Sequence, residues 1–141
     1  MTSKNINILL VDEDDVDVEL LRRQFEQNNI AHPITHIDRA HIALAVLRGE
    51  GGYKRLERPY IIVLELMLGW MTGLQFLKEL RQDEALKRSV VVVLTASDYA
   101  PHRIEAYNYN VAAYMRKDDV HQDFSLFINL LKLYETMELP M

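Results

Sequence analysis

Pro59 to Gly69 reads PYIIVLELMLG. Ile61–Leu64 is an unbroken aliphatic run, too short for a helix by itself and closed by a proline before it and a glycine after it. A strand that is apolar at every position, and not at alternate ones, is buried on both faces. Ser89–Thr95, SVVVVLT, has the same character. Two such runs require a parallel sheet with helices packed on both sides.

Outward from this stretch the same change of period repeats. Ile6–Val11 (INILLV) gives way at Asp15 to a helical pattern, with Val18, Leu21 and Phe25 on one stripe widened by Leu20. PITHI is followed by AHIALAVLRG, YIIVLE by GLQFLKELRQ, SVVVVLT by PHRIEAYNYN, and AAYMR by a segment predicted to be helical from His121 to Met137. Five strand-then-helix units make a doubly wound α/β fold with a five-stranded parallel sheet, and residues 1–141 read as a single domain. Gly49 and Asn110 follow the second and fourth helices as terminators that tolerate a left-handed backbone, and Asp15 is the predicted N-cap of the first helix.

Composition narrows the function classes. The chain is 49% hydrophobic and 26% charged with a net charge of −5, ordinary for a soluble globule and unsuited to nucleic acid or an anionic membrane surface. Proteins or small ligands are the expected partners. The absence of cysteine suits a reducing compartment, and the N-terminus MTSKNI carries no apolar signal segment, so a cytoplasmic location is expected.

Glu65 interrupts the opening stretch at a strand's carboxyl end, where ligands gather in open parallel sheets. The first strand ends in Asp12 and Glu13, followed by Asp14 and Asp15; the fourth ends in Thr95; Lys117 follows the fifth. Carboxylates from two strands, a hydroxyl and an ammonium would meet in one crevice. Clustered carboxylates repel unless a cation sits among them, and hard oxygen ligands suit Mg²⁺, which completes its shell with water and phosphate. Thr95 and Lys117 would then face phosphoryl oxygens opposite the metal. Taken singly, Thr95 is an ordinary strand former, Lys117 a surface lysine, Tyr114 a packing residue, and the acids a solvated loop. Their joint placement is what points to a site.

With these residues in place the chain resembles the receiver domains of bacterial two-component response regulators over nearly its whole length. The resemblance rests on the acidic pair Asp12 and Glu13, on Thr95 before the small Ala96, on Lys117, and on the aromatic Tyr114 three residues earlier. It implies a flavodoxin-like strand order 2-1-3-4-5. It also implies a phosphoacceptor position at Glu65, metal ligation by Asp12, Glu13, Glu65 and the backbone carbonyl of Met67, and a switch made of Thr95 and Tyr114. LRGEGGYKRLERP before the third strand and the tail LYETMELP are similar to stand-alone receivers that serve bacterial phytochromes, which implies a sensor histidine kinase, such as one of the phytochrome type, or another signalling protein as partner.

Departures from the family pattern alter that expectation. Receivers carry an aspartate where this chain has Glu65, in a stretch resembling D-L-x-M-P-x-M-D-G that here reads ELMLGWMTG. The extra methylene advances the carboxylate by roughly 1.5 Å, and a misplacement of about 1 Å can cost on the order of 100-fold in rate. Crippled phosphotransfer is expected, with the longer carboxylate, nearer Thr95 and Lys117, standing in for a phosphoryl group. After Lys117 the family has a cis proline; Asp118 stands here, and a non-proline cis bond costs roughly 2.5–4 kcal/mol, so a trans, rearranged loop is predicted.

The favoured reading is a phosphate-independent pseudo-receiver that works through protein contacts and is not an enzyme; the alternative is a phosphorylatable regulator served by a histidine kinase. A flavin or nucleotide module is disfavoured because DEDD would repel the anion, and a D-x-D phosphatase because Asp15 and Val16 do not continue that family's motif.

The predicted last helix carries two apolar stripes. Phe124, Phe127, Ile128, Leu131 and Tyr134 form one; Leu126, Leu130, Leu133 and Met137 form the other. The sheet needs one, so residues 121–141 are predicted to take part in a C2 homodimer.

Overall fold

A computed structural model describes residues 5–140. The strands are β1 (Asn7–Val11), β2 (Ile34–Ile37), β3 (Tyr60–Leu64), β4 (Val90–Thr95) and β5 (Ala113–Arg116). The helices are α1 (Asp15–Gln27), α2 (Ala40–Arg48), α3 (Gly73–Gln82), α4 (Ala100–Asn108), α5 (Lys117–Gln122) and α6 (Ser125–Tyr134). All strand pairs are parallel and the order is β2-β1-β3-β4-β5. This is the doubly wound, flavodoxin-like arrangement expected of the alternating pattern.

Every residue of β3 is buried, as its unbroken apolar run requires. Alternate residues feed opposite cores: Tyr60, Ile62 and Leu64 pack beneath α2, α3 and α4, whereas Ile61 and Val63 pack beneath α1 and α6. β2, at the sheet edge, is only half-buried. Among the described residues no helix is long and apolar enough to cross a membrane.

Helix ends follow local chemistry. Gly49 closes α2 at φ +69°, and Asn110, also left-handed at φ +60°, follows α4, both as expected. Asp14, not Asp15, caps α1: its backbone is extended and its carboxylate accepts the N–H groups of Val16 and Asp17, while Asp15 is already helical. Thr72 and Gln75 make a reciprocal capping box at the start of α3.

The predicted continuous helix from His121 to Met137 is instead two. α5 begins at Lys117, and Asp123 leaves the helical region at φ −151° while its carboxylate accepts the Ser125 N–H at 2.9 Å. That local side-chain bond competes with the helical ladder and breaks it. The first apolar stripe does pack on the sheet, with Phe127, Ile128 and Leu131 buried; of the second, Leu126 and Leu133 are exposed and Leu130 is half-buried.

The last turn is tied to the other end of the chain. Buried His32 accepts the Ile6 N–H on Nδ1 at 3.0 Å, so its Nε2 carries the hydrogen and donates to Glu135 at 3.0 Å.

Candidate functional site

Strand order reverses at β1, whose neighbours β2 and β3 leave in opposite directions, and the crevice opens above its carboxyl end. Val11 pairs with Leu64, and the Glu65 N–H donates to the Val11 carbonyl at 3.0 Å, which brings Asp12 and Glu65 side by side. Asp12, Glu65, Thr95 and Lys117 are all buried at this end of the sheet.

Glu65 turns toward β4. Its carboxylate accepts the Ala96 N–H, at 3.3 Å on Oε1 and 3.2 Å on Oε2. Burial pushes its pKa above the ordinary glutamate value, against the opposing pull of the Thr95 hydroxyl, the Lys117 charge and the Ala96 N–H. The backbone beneath it is fixed by α3, because a Cβ on Gly73 would lie 2.7 Å from the Glu65 carbonyl oxygen.

Thr95 Oγ1 accepts the Ser97 N–H at 3.1 Å. Tyr114, half-buried on β5, donates its hydroxyl to the Ser97 carbonyl at 3.3 Å. The two residues expected to form a switch therefore grip the same residue in the loop between β4 and α4.

The Lys117–Asp118 bond is trans, as expected, Arg58–Pro59 being the one cis peptide among the described residues, but in place of a rearranged loop the chain passes from β5 directly into α5. The ammonium reaches the crevice but lies with Asp12 at 2.9 Å and Asp17 at 2.5 Å. No ion pair joins it to Glu65. Burial alone would lower the Lys117 pKa, but the bonds to Asp12 and Asp17 outweigh it and the net shift is upward. The predicted approach of the Glu65 carboxylate to Thr95 and Lys117 is thus met on the Thr95 side only, because Asp12 and Asp17 hold the lysine.

Asp17 was not singled out by the sequence. An acid in the first turn of a helix reads as a complement to the helix dipole, and its partner is 100 positions away. Its other oxygen contacts His121 Nε2 at 3.1 Å.

The three acids among the predicted metal-binding residues face different partners. Asp12 faces Lys117, Glu65 faces Ala96, and Glu13 is turned outward to accept the Gly69 N–H at 2.5 Å. Met67 exposes its side chain, while the ligand expected of it is its backbone carbonyl. Among the described residues no three His, Asp or Glu side chains converge in this arrangement, and a divalent ion in the crevice would need Asp12 and Glu13 to leave their present partners. Trp70, 90% exposed at φ +64°, leans toward His41 with ring centroids 6.3 Å apart.

Comparison with known proteins agrees with this fold. The family model for the response regulator receiver domain matches residues 8–125. Response regulator Rcp1 of Synechocystis sp. is 31% identical over 135 residues, 94% of this chain and 92% of that protein. The structure of the phosphorylated cyanobacterial phytochrome response regulator RcpA superposes with a TM-score of 0.86 at 28% identity, covering 98% of this chain and 100% of that one. The Mn²⁺-bound form of Rcp1 gives 0.84 at 30%, covering 96% and 99%. With its sheet order and its relatives in agreement, the chain belongs to the response regulator receiver family.

Proposed function

We propose that this chain is a stand-alone signalling receiver whose crevice is set by Glu65 and not by transfer of a phosphoryl group to an aspartate. One observation carries the reading: the Glu65 carboxylate already accepts the Ala96 N–H, the donor that β4 presents to the crevice beside Thr95. A fixed anion takes that donor without any covalent step. Thr95 and Tyr114, both bonded to Ser97, would pass the state of the crevice to α4. Output is then through protein contacts, with a histidine kinase, of the phytochrome type, as the natural class of partner given the relatives. Mg²⁺ binds weakly in this reading, since an incoming ion must displace Lys117 from Asp12 and draw Glu13 off Gly69.

The second reading is a phosphorylatable regulator, favoured by the phosphorylated state in which RcpA was solved. Intact mass after incubation with a small acyl phosphate and Mg²⁺ separates the two. The wild type is expected to gain no lasting phosphoryl group, whereas Glu65→Asp gains one, acid-stable and alkali-labile. Adding Asp118→Pro to Glu65→Asp should raise the rate further. Robust labelling of wild-type Glu65 would overturn the pseudo-receiver reading; an inert but folded double variant would show a site that has drifted beyond this one residue.

A further inference from the structure

We propose that Asp17 is a positioning residue, a latch that holds the Lys117 ammonium on the α1 side of the crevice and away from the Glu65 carboxylate. Its significance rests on the pseudo-receiver reading, in which the charge facing Glu65 decides how closely that side chain imitates a phosphoryl group.

The geometry starts with the missing proline. Because β5 runs straight into a helix, Lys117 is the first residue of α5 and His121 lies one turn on, at i+4, so both side chains leave the same face of α5. That face meets the first turn of α1, where Asp17 receives both: Oδ2 takes Lys117 at 2.5 Å and Oδ1 faces His121 at 3.1 Å. Asp12 supplies the second carboxylate for the lysine at 2.9 Å.

Three carboxylates therefore compete for one ammonium: Asp12, Asp17 and Glu65. Asp12 and Asp17 win together, since each makes a direct ion pair, and no such pair reaches Glu65. Lys117 is buried, so the outcome matters energetically; an ammonium in that position takes the best-placed acids and is little screened by solvent. Asp12 alone does not decide its direction, because Asp12 stands beside Glu65 in the sheet and a lysine bonded to Asp12 can lean either way. Asp17, on the far side, is the group that pulls it toward α1.

The test is a double-mutant cycle between Glu65→Gln and Lys117→Met, run by thermal unfolding in the wild-type and in the Asp17→Asn background. Freed of its second acid, Lys117 should swing to Glu65. The non-additivity of the two melting-temperature shifts is then expected to grow by about 3 °C or more in Asp17→Asn. A crystal structure of Asp17→Asn should place Lys117 Nζ within about 4 Å of the Glu65 carboxylate, the ordinary reach of an ion pair. Asp17→Glu, which restores the charge, should return the cycle to its wild-type value. If Asp17→Asn folds poorly, Asp17→Ser serves in its place. An unchanged cycle with Lys117 still on Asp12 alone would overturn the latch. None of these measurements uses a phosphodonor, so phosphorylation of the wild type would defeat the pseudo-receiver reading while leaving the position of Lys117 to be judged by itself.

Discussion

Gly73 and Glu65 are in backbone contact: a Cβ on Gly73 would lie 2.7 Å from the Glu65 carbonyl oxygen and 2.5 Å from the Leu66 Cα. Both obstacles are main-chain atoms at the end of β3 and cannot rotate away. Gly73→Ala should therefore push α3 off the strand and cost about 1–3 kcal/mol, as overpacking does. The urea midpoint would fall; an unchanged midpoint would mean that the start of α3 yields freely.

Arg81 contributes stability without any acid. Its guanidinium donates to the carbonyls of Tyr109 at 2.6 Å, Lys87 at 2.9 Å, Ser89 at 2.7 Å and Asn110 at 3.1 Å, joining α3 to the end of α4 and the approach to β4. Removing it orphans several carbonyls, so Arg81→Ala should lose about 3 kcal/mol. Arg81→Lys should recover only part of this, since an ammonium cannot span the fork. Full recovery by lysine in equilibrium unfolding would contradict the four-bond account.

The pH dependence of stability has a definite sign at Glu65. Its pKa is raised in the folded protein by burial, so the folded state holds the proton more tightly than the unfolded chain does. Stability from this group is greatest below the ordinary value of 4.5 and declines as pH rises through the folded value. The melting temperature of Glu65→Gln relative to wild type should climb between about pH 4 and pH 7. A flat difference across that window would show that Thr95, Lys117 and Ala96 offset the effect of burial.

Titration calorimetry with Mg²⁺ should give weak binding in the wild type and binding tighter on the order of tenfold in Glu65→Asp. Equal affinity would mean that the longer side chain does not crowd the ion.

Leu126 and Leu133 expose apolar surface along α6, 74% and 54% accessible, which is the basis for expecting a homodimer through this helix. Light scattering should detect a dimer that Leu133→Glu dissociates. A monomer at high concentration, with solubility indifferent to Leu133→Glu, would remove α6 as the interface.

Much of the fold was legible because parallel strands need apolar residues on both faces, and Ile61–Leu64 and Val91–Leu94 have nothing else. The crevice residues were legible for a related reason: Asp12, Glu65 and Thr95 stand where apolar runs stop. Features made by local competition were not. Asp123 has no mark in the helical period that betrays its bond to Ser125, and that bond splits the last helix. The capping box at Thr72 went unread as well, although T-x-x-Q before an apolar run is its signature. Arg81 and Asp17 sit in the last and first turns of helices, where such charges are routine, and their partners are far away in sequence.

The imidazole of His32 has a consequence for the molecule's ends. Ile6, just before β1, and Glu135 beyond α6 hold opposite nitrogens of one ring, so the open chain is clasped into a closed circuit. Cutting the chain after Tyr134 would strip a buried N–H of its acceptor and loosen the first strand from the far terminus. The tail is a fastening of the sheet, and a fusion or trimming at that end is felt at the beginning of the chain.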